Sequence, residues 1–117
     1  MNENAKRGIV FWSLPNVLII DLKRWGSNLK KVSTLVDVPL THIDLSRYIK
    51  GYNSQKYIYE LYGTCNHSGN VGGGHYTACV KNMNGKWYHF NDTIVENISD
   101  NNVITSNCYC LFFRKIK

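Results

Sequence analysis

The sequence lacks most of the features that mark membrane, disulfide-stapled or metal-stapled proteins. Among its 117 residues no stretch approaches the roughly 20 consecutive apolar residues of a transmembrane helix. The apolar run "GIVFW" at 8–12 is too short for a signal-peptide core, and no cleavage site follows it. The expected compartment is therefore cytosol or nucleus, with no membrane partner. Cysteine is sparse, and Cys65, Cys79, Cys108 and Cys110 form no C-x-x-C pair. A complete zinc site is not expected, nor any other cofactor, and the thiols would be free in a reducing compartment. Proline occurs twice, and no linker, repeat or low-complexity tract divides the chain. Acidic residues are in deficit, 8 against 14 Lys and Arg, for a net charge of +6. Such a balance raises nucleic acid as a partner. The cations are scattered, however, and no segment reads as a basic helix or an RNA-binding signature, so no nucleic acid is expected.

What is present reads as one globular domain, or part of one: 44% hydrophobic and 19% charged residues place the chain outside the disordered class. Residues 1–10 are a polar lead-in to the body at 11–117. "NVLIIDLKRW" (16–25) is β-branched and apolar, a buried strand in which Asp21 must find a partner or lie near an edge. "KKVSTLVDVPL" (30–40) alternates and stops at Pro39, as a second strand would. "DLSRYI" (44–49) suits one helical turn capped by Asp44 or Ser46. "KYIYELYGTCNH" (56–67), "HYTACVK" (75–81), "KWYHFND" (86–92) and "CYCLFFRK" (108–115) read as further strands, and "SDNNV" (99–103) as a turn. The expected fold is α+β but strand-dominated, an antiparallel sheet or half-barrel.

The chemistry concentrates in one hairpin. Residues 68–74, "SGNVGGG", form a glycine-rich loop ending at His75, and the aromatic run of the return arm ends in Asn91-Asp92. A hairpin centred on Met83 sets His75 directly opposite Asn91, with Cβ atoms about 4.5–5.5 Å apart. A tight two-residue turn at Asn84-Gly85 would instead set Ile94 opposite His75 and bring Asp92 in as a diagonal neighbour. Asn91 and Asp92 point to opposite faces, so only one can orient the imidazole. A His held by Asn or Asp is two-thirds of a thiol-protease triad. The bland reading is a loop His beside core aromatics.

The motifs "SLPNVLIIDLKRW", "VDVPL", "IDLSRYI", "YELYGTCNHSGNVGGGHYTACVKN", "GKWYHFNDTIV" and "CYCLFF" occur in the order found in the second half of the ubiquitin-specific protease catalytic domain. The chain resembles that family from about Phe11 to Arg114. The resemblance implies a papain-like fold, of which this would be the C-terminal palm half. It implies a deubiquitinase that cleaves after the C-terminal Gly of ubiquitin, with ubiquitin or ubiquitinated proteins as partners. His75 matches the catalytic base, Asn91 the third triad member and Asp92 a neighbouring polar residue. Ser68, Gly69, Gly72, Gly73, Gly74 and Tyr76 match the loop and channel that receive the ubiquitin tail. The family's nucleophilic Cys lies near the start of its domain, on a helix, and has no counterpart here. Asp21 departs from the family's strand pattern. The four local cysteines fit strand positions better than a nucleophile. Two rival readings follow: a degenerate ubiquitin-binding module, or a split half that works beside a second chain carrying the Cys.

Overall fold

The computed structural model describes residues 13–23, 35–49, 56–69 and 74–116. Seven strands form one antiparallel sheet: β1 (Val17–Asp21), β2 (Ile43–Asp44), β3 (Ile58–Ser68), β4 (His75–Lys81), β5 (Trp87–Asn91), β6 (Ile94–Ile98) and β7 (Cys108–Lys115). Their order is β1-β7-β3-β4-β5-β6, with β2 paired to β3 off that path. Strand-rich sequence accounts for most of it: β-branched and aromatic side chains suit a pleated, half-buried surface.

Register decides which residues share a face. On β3, Tyr59 and Leu61 face the core; Tyr62 is then an unopposed bulge residue, because Leu61 pairs with Phe113 and Gly63 with Phe112. Past the bulge, Thr64 pairs with Leu111 and with Cys79, so these three lie on the core face too. The cluster on this face contains Tyr57, Tyr59, Leu61, Cys79, Trp87, Leu111 and Phe113, with Val103 and Cys108 packed over it. Ile43 of β2 and Leu14, Val38, Leu40, Leu45 and Ile104 from the loops complete the cover. The opposite face is open: Val17, Ile19, Tyr76 and Val95 are each at least half exposed.

Several sequence expectations need correction. Residues 35–40 are irregular rather than a strand; Pro39 lacks a ladder donor, and Val38 and Leu40 serve as partly buried cover for the core. Residues 30–34 lie outside the described residues. The first strand ends at Asp21 rather than at residue 25. β6 was not anticipated from the sequence: four of its five residues are exposed, so it carries no apolar alternation. The helical turn is a 3-10 turn at Ser46–Tyr48, where Asp44 Oδ1 accepts the Ser46 N–H at 2.9 Å. Asp21 sits exposed at the end of an edge strand, opposite Cys110; it thus meets both of the conditions set for it.

One ion triad ties the middle of the sheet. Glu60 accepts from Lys81 Nζ at 3.2 Å and from Arg114 Nε at 2.5 Å, bridging β4 and β7 across β3. Burial opposes the Glu60 charge, but the hydrogen bonds from Arg114 and Lys81 outweigh it and hold the carboxyl below its ordinary range. A carboxyl depressed on folding contributes stability above its unfolded pKa and loses it as pH falls through the folded value. Glu60→Gln is therefore expected to lower stability at pH 7 by about 1 kcal/mol, a modest figure because Arg114 is half exposed and screened. The difference from the parent should shrink as pH falls from the ordinary carboxylate range through the lowered folded value of Glu60, as seen by denaturant unfolding across acid pH.

Candidate active site

β4 and β5 meet through a loop that places the pair. Lys81 pairs with Trp87, the Asn82 N–H donates to the Lys86 carbonyl and Gly85 has φ 81°. This is a three-residue hairpin loop closed by a glycine in the left-handed region, neither of the two turns expected from sequence. Ala78 pairs with Phe90 and Cys79 with His89. Continued to the strand ends, that register sets Asn91 across from Thr77, and His75 one step further as its diagonal neighbour. Diagonal neighbours on one face stand about 7–8 Å apart, within reach of long side chains.

They do meet. His75 Nε2 lies 2.6 Å from Asn91 Oδ1. The expected contact is present, then, but diagonally rather than directly across the ladder. An amide oxygen only accepts, so Nε2 is the donor of this bond, and in the neutral ring so held Nδ1 is the nitrogen with the lone pair. Asp92 takes no part in this bond. It lies in the two-residue turn between Asn91 and Ile94, exposed, with φ 54°. Its expected place on the strand is therefore corrected: a primed-type turn needs the positive φ there.

The loop residues divide. Ser68 ends β3 and pairs with His75. Gly72 and Gly73 lie outside the described residues. Gly69 and Gly74 face each other at the stem, with φ 102° and 118°. A methyl group on Gly69 would fall 2.8 Å from Gly74 Cα; one on Gly74 would strike the Ser68 carbonyl and lie 2.5 Å from His67 Nε2. Only glycine fits either position. His67 is buried beneath this stem, its ring centroid 4.8 Å from that of Tyr76. Tyr76 is 61% exposed and stands edge-on to Tyr109 at 6.0 Å. Behind the pair, Asn66 Nδ2 reaches Thr77 Oγ1 at 3.5 Å, a polar neighbour that no sequence signal singled out.

No described thiol reaches the imidazole. Cys79 shares the face of His75 but lies four residues along the strand, about 13 Å away. Cys65 pairs with Ala78 and with Cys110, which puts both cysteines on the other face. Cys108 is buried in the core. Burial, then a hydrogen bond to Asp21, push the Cys110 thiol up to about 12, and burial also raises Cys65. Among the described residues no three His, Cys, Asp or Glu side chains converge as metal ligands.

The profile of the family described as "Ubiquitin carboxyl-terminal hydrolase" matches residues 1–113. Ubiquitin carboxyl-terminal hydrolase 10 of Arabidopsis thaliana is 41% identical over 99% of this chain, which covers 13% of that protein. Ubiquitin carboxyl-terminal hydrolase 4 of Mus musculus is 36% identical over 97% of this chain, 12% of its own length. The chain thus spans about an eighth of the curated relatives it matches. Among solved structures, the Ubp8-Sgf11-Sgf73-Sus1 SAGA DUB module matches 89% of this chain and 25% of the other at 34% identity, with a TM-score of 0.77. A form of that module bound to monoubiquitin matches with a TM-score of 0.78 at 33% identity, over 89% of this chain and 24% of the other.

Two outcomes follow from the geometry. Gly74→Ala should destabilise the chain by roughly 1–3 kcal/mol, the cost of a side chain in a glycine-only conformation, read from the denaturation midpoint. In alkylation followed by mass spectrometry at pH 8, Cys110 should be the slowest of the four thiols, since the reactive thiolate is suppressed there; Asp21→Asn should speed it.

Proposed function

The chain belongs to the ubiquitin carboxyl-terminal hydrolase family, and from that premise we propose that it is the C-terminal portion of a deubiquitinating cysteine protease. The reaction is cleavage of the peptide or isopeptide bond after the C-terminal Gly of ubiquitin. One observation carries the reading: an imidazole anchored at Nε2 by Asn91, with Nδ1 left to act, and no thiol of its own within reach. In this scheme a thiol from outside these 117 residues gives its proton to His75 Nδ1 and attacks the carbonyl. His75 then returns the proton to the leaving amine. Asn91 keeps the ring in one tautomer throughout. Asp92, exposed at the turn, adds negative charge nearby without holding the ring. Ser68, Gly69, Gly72, Gly73, Gly74 and Tyr76 receive the ubiquitin tail, where glycines admit close backbone approach.

The remainder of the protease has room to dock. A groove of about 610 Å³ lined by Leu14, Leu18, Ile19, Ile20, Leu45 and Tyr48 lies beside edge strand β1. Exposed apolar surface of this kind marks an interaction site. In this proposal the thiol-bearing part of the catalytic domain, in the same protein or on a second chain, meets this region.

A fluorogenic ubiquitin C-terminal amide tests the reading. The 117-residue chain alone should give no turnover. Adding a chain that carries the Cys-bearing half of a relative's catalytic domain should restore it. In the mixture His75→Ala should lower the rate by roughly 10²–10⁴-fold, the usual contribution of a general base. Turnover by the chain alone that is lost on replacing one of its own cysteines would overturn the proposal. Ubiquitin binding without turnover in any mixture would favour a non-catalytic module.

A further inference from the structure

The bond between His75 and Asn91 stands at the surface, since His75 is exposed. A neutral hydrogen bond open to water is weak, because water replaces either partner. Something must limit that competition if the ring is to stay in place. On the β4 side the register supplies Thr77. On the other side the two-residue turn sets Ile94 directly opposite Asn91. Paired residues project to the same face, with Cβ atoms about 4.5–5.5 Å apart, so the Ile94 side chain flanks the carboxamide. Ile94 is 56% exposed and is not among the residues packed against the core. Core packing therefore gives no reason for a large apolar side chain at this strand end. We propose that Ile94 is a positioning residue: it covers the Asn91 carboxamide on the β6 side and keeps water off the His75–Asn91 hydrogen bond.

The inference rests on the geometry of the pair and is independent of whether the protein proves to be a deubiquitinase. Val and Thr test it well, being nearly the same shape, both β-branched and both suited to a strand; they differ in polarity. The readout is solvent exchange of the His75 Nε2 proton in the full chain by NMR, with the backbone amides of Tyr59 and Leu61 as controls for opening of the sheet. Ile94→Thr should speed imidazole exchange by roughly three- to tenfold, the weight of one neutral hydrogen bond. Ile94→Val should keep it near the parent rate, and the β3 amides should not change. Equal imidazole exchange in the Thr and Val variants would overturn the proposal. So would β3 amides that accelerate in step with the ring, because the effect would then be loss of the hairpin rather than loss of a shield.

Discussion

Of the two irregularities in the β3–β7 ladder, the one on β3, at Tyr62, sets the facing of the site. Strand side chains alternate, so a slip of one residue sends every later side chain to the other face. Tyr59 and Leu61 point into the core before the bulge, and Thr64 and Asn66 do so after it. β4 pairs only with the part of β3 beyond the bulge, from Gly63 to Ser68. An unbulged β3 would turn β4 over as it turned Thr64 over. His75 and Cys79 would then look away from the core, and Trp87 on β5 would follow them. With the bulge, His75, Cys79, Trp87 and Asn91 share the face on which Leu61, Leu111 and Phe113 are buried. The hydrophobic core thereby becomes the anchor of the polar pair at its rim.

Much of this was legible in the sequence, and what was not has identifiable causes. Both arms of the hairpin and the last strand were read close to their observed bounds, because aromatic and β-branched residues alternate there and glycines punctuate the ends. The bulge left one trace, Gly63 inside a strand pattern, which is a recognised but weak sign. β6 left none, since an exposed strand needs no apolar alternation and its register comes from the Asp92-Thr93 turn. The segment at 35–40 alternates like a strand because Val38 and Leu40 are partly buried, yet it covers a sheet rather than joining one. Burial pattern alone does not separate those cases.

The pair itself shows how a correct contact can follow from an incorrect register. Asn84-Gly85 suggested a two-residue turn, and a Met83 centre suggested direct opposition. The chain instead uses Met83–Gly85 as a three-residue loop, with Gly85 taking the left-handed position. The hairpin is centred on Asn84, one residue from the Met83 centre and half a residue from the Asn84-Gly85 centre, and Asn91 becomes the diagonal neighbour of His75. Two side chains of this length span that diagonal. Alternation allows only one of two consecutive strand residues to face the imidazole but leaves the choice to the register; the observed register selects Asn91, and the turn removes Asp92 from the strand altogether.

The two faces of the sheet set the division of labour. The inner face, with its loops, buries the aromatic core and ends in the His75–Asn91 pair. One cross-strand row on the outer face, Asp21, Cys110, Cys65 and Ala78, runs from edge strand β1 to β4. Along that row the Asp21 carboxylate and Cys110 thiol satisfy each other, and burial with the Asp21 bond makes that thiol a poor nucleophile. Burial thus makes Cys65 and Cys110 poor thiolates on the outer face, while on the inner face the exposed His75 imidazole is held at one nitrogen by Asn91. The suppressed thiols and the exposed imidazole therefore lie on opposite faces of the sheet. Gly69 and Gly74 meet beside this imidazole, because Gly74 immediately precedes His75, and the positive φ of both keeps any side chain out of the space between them.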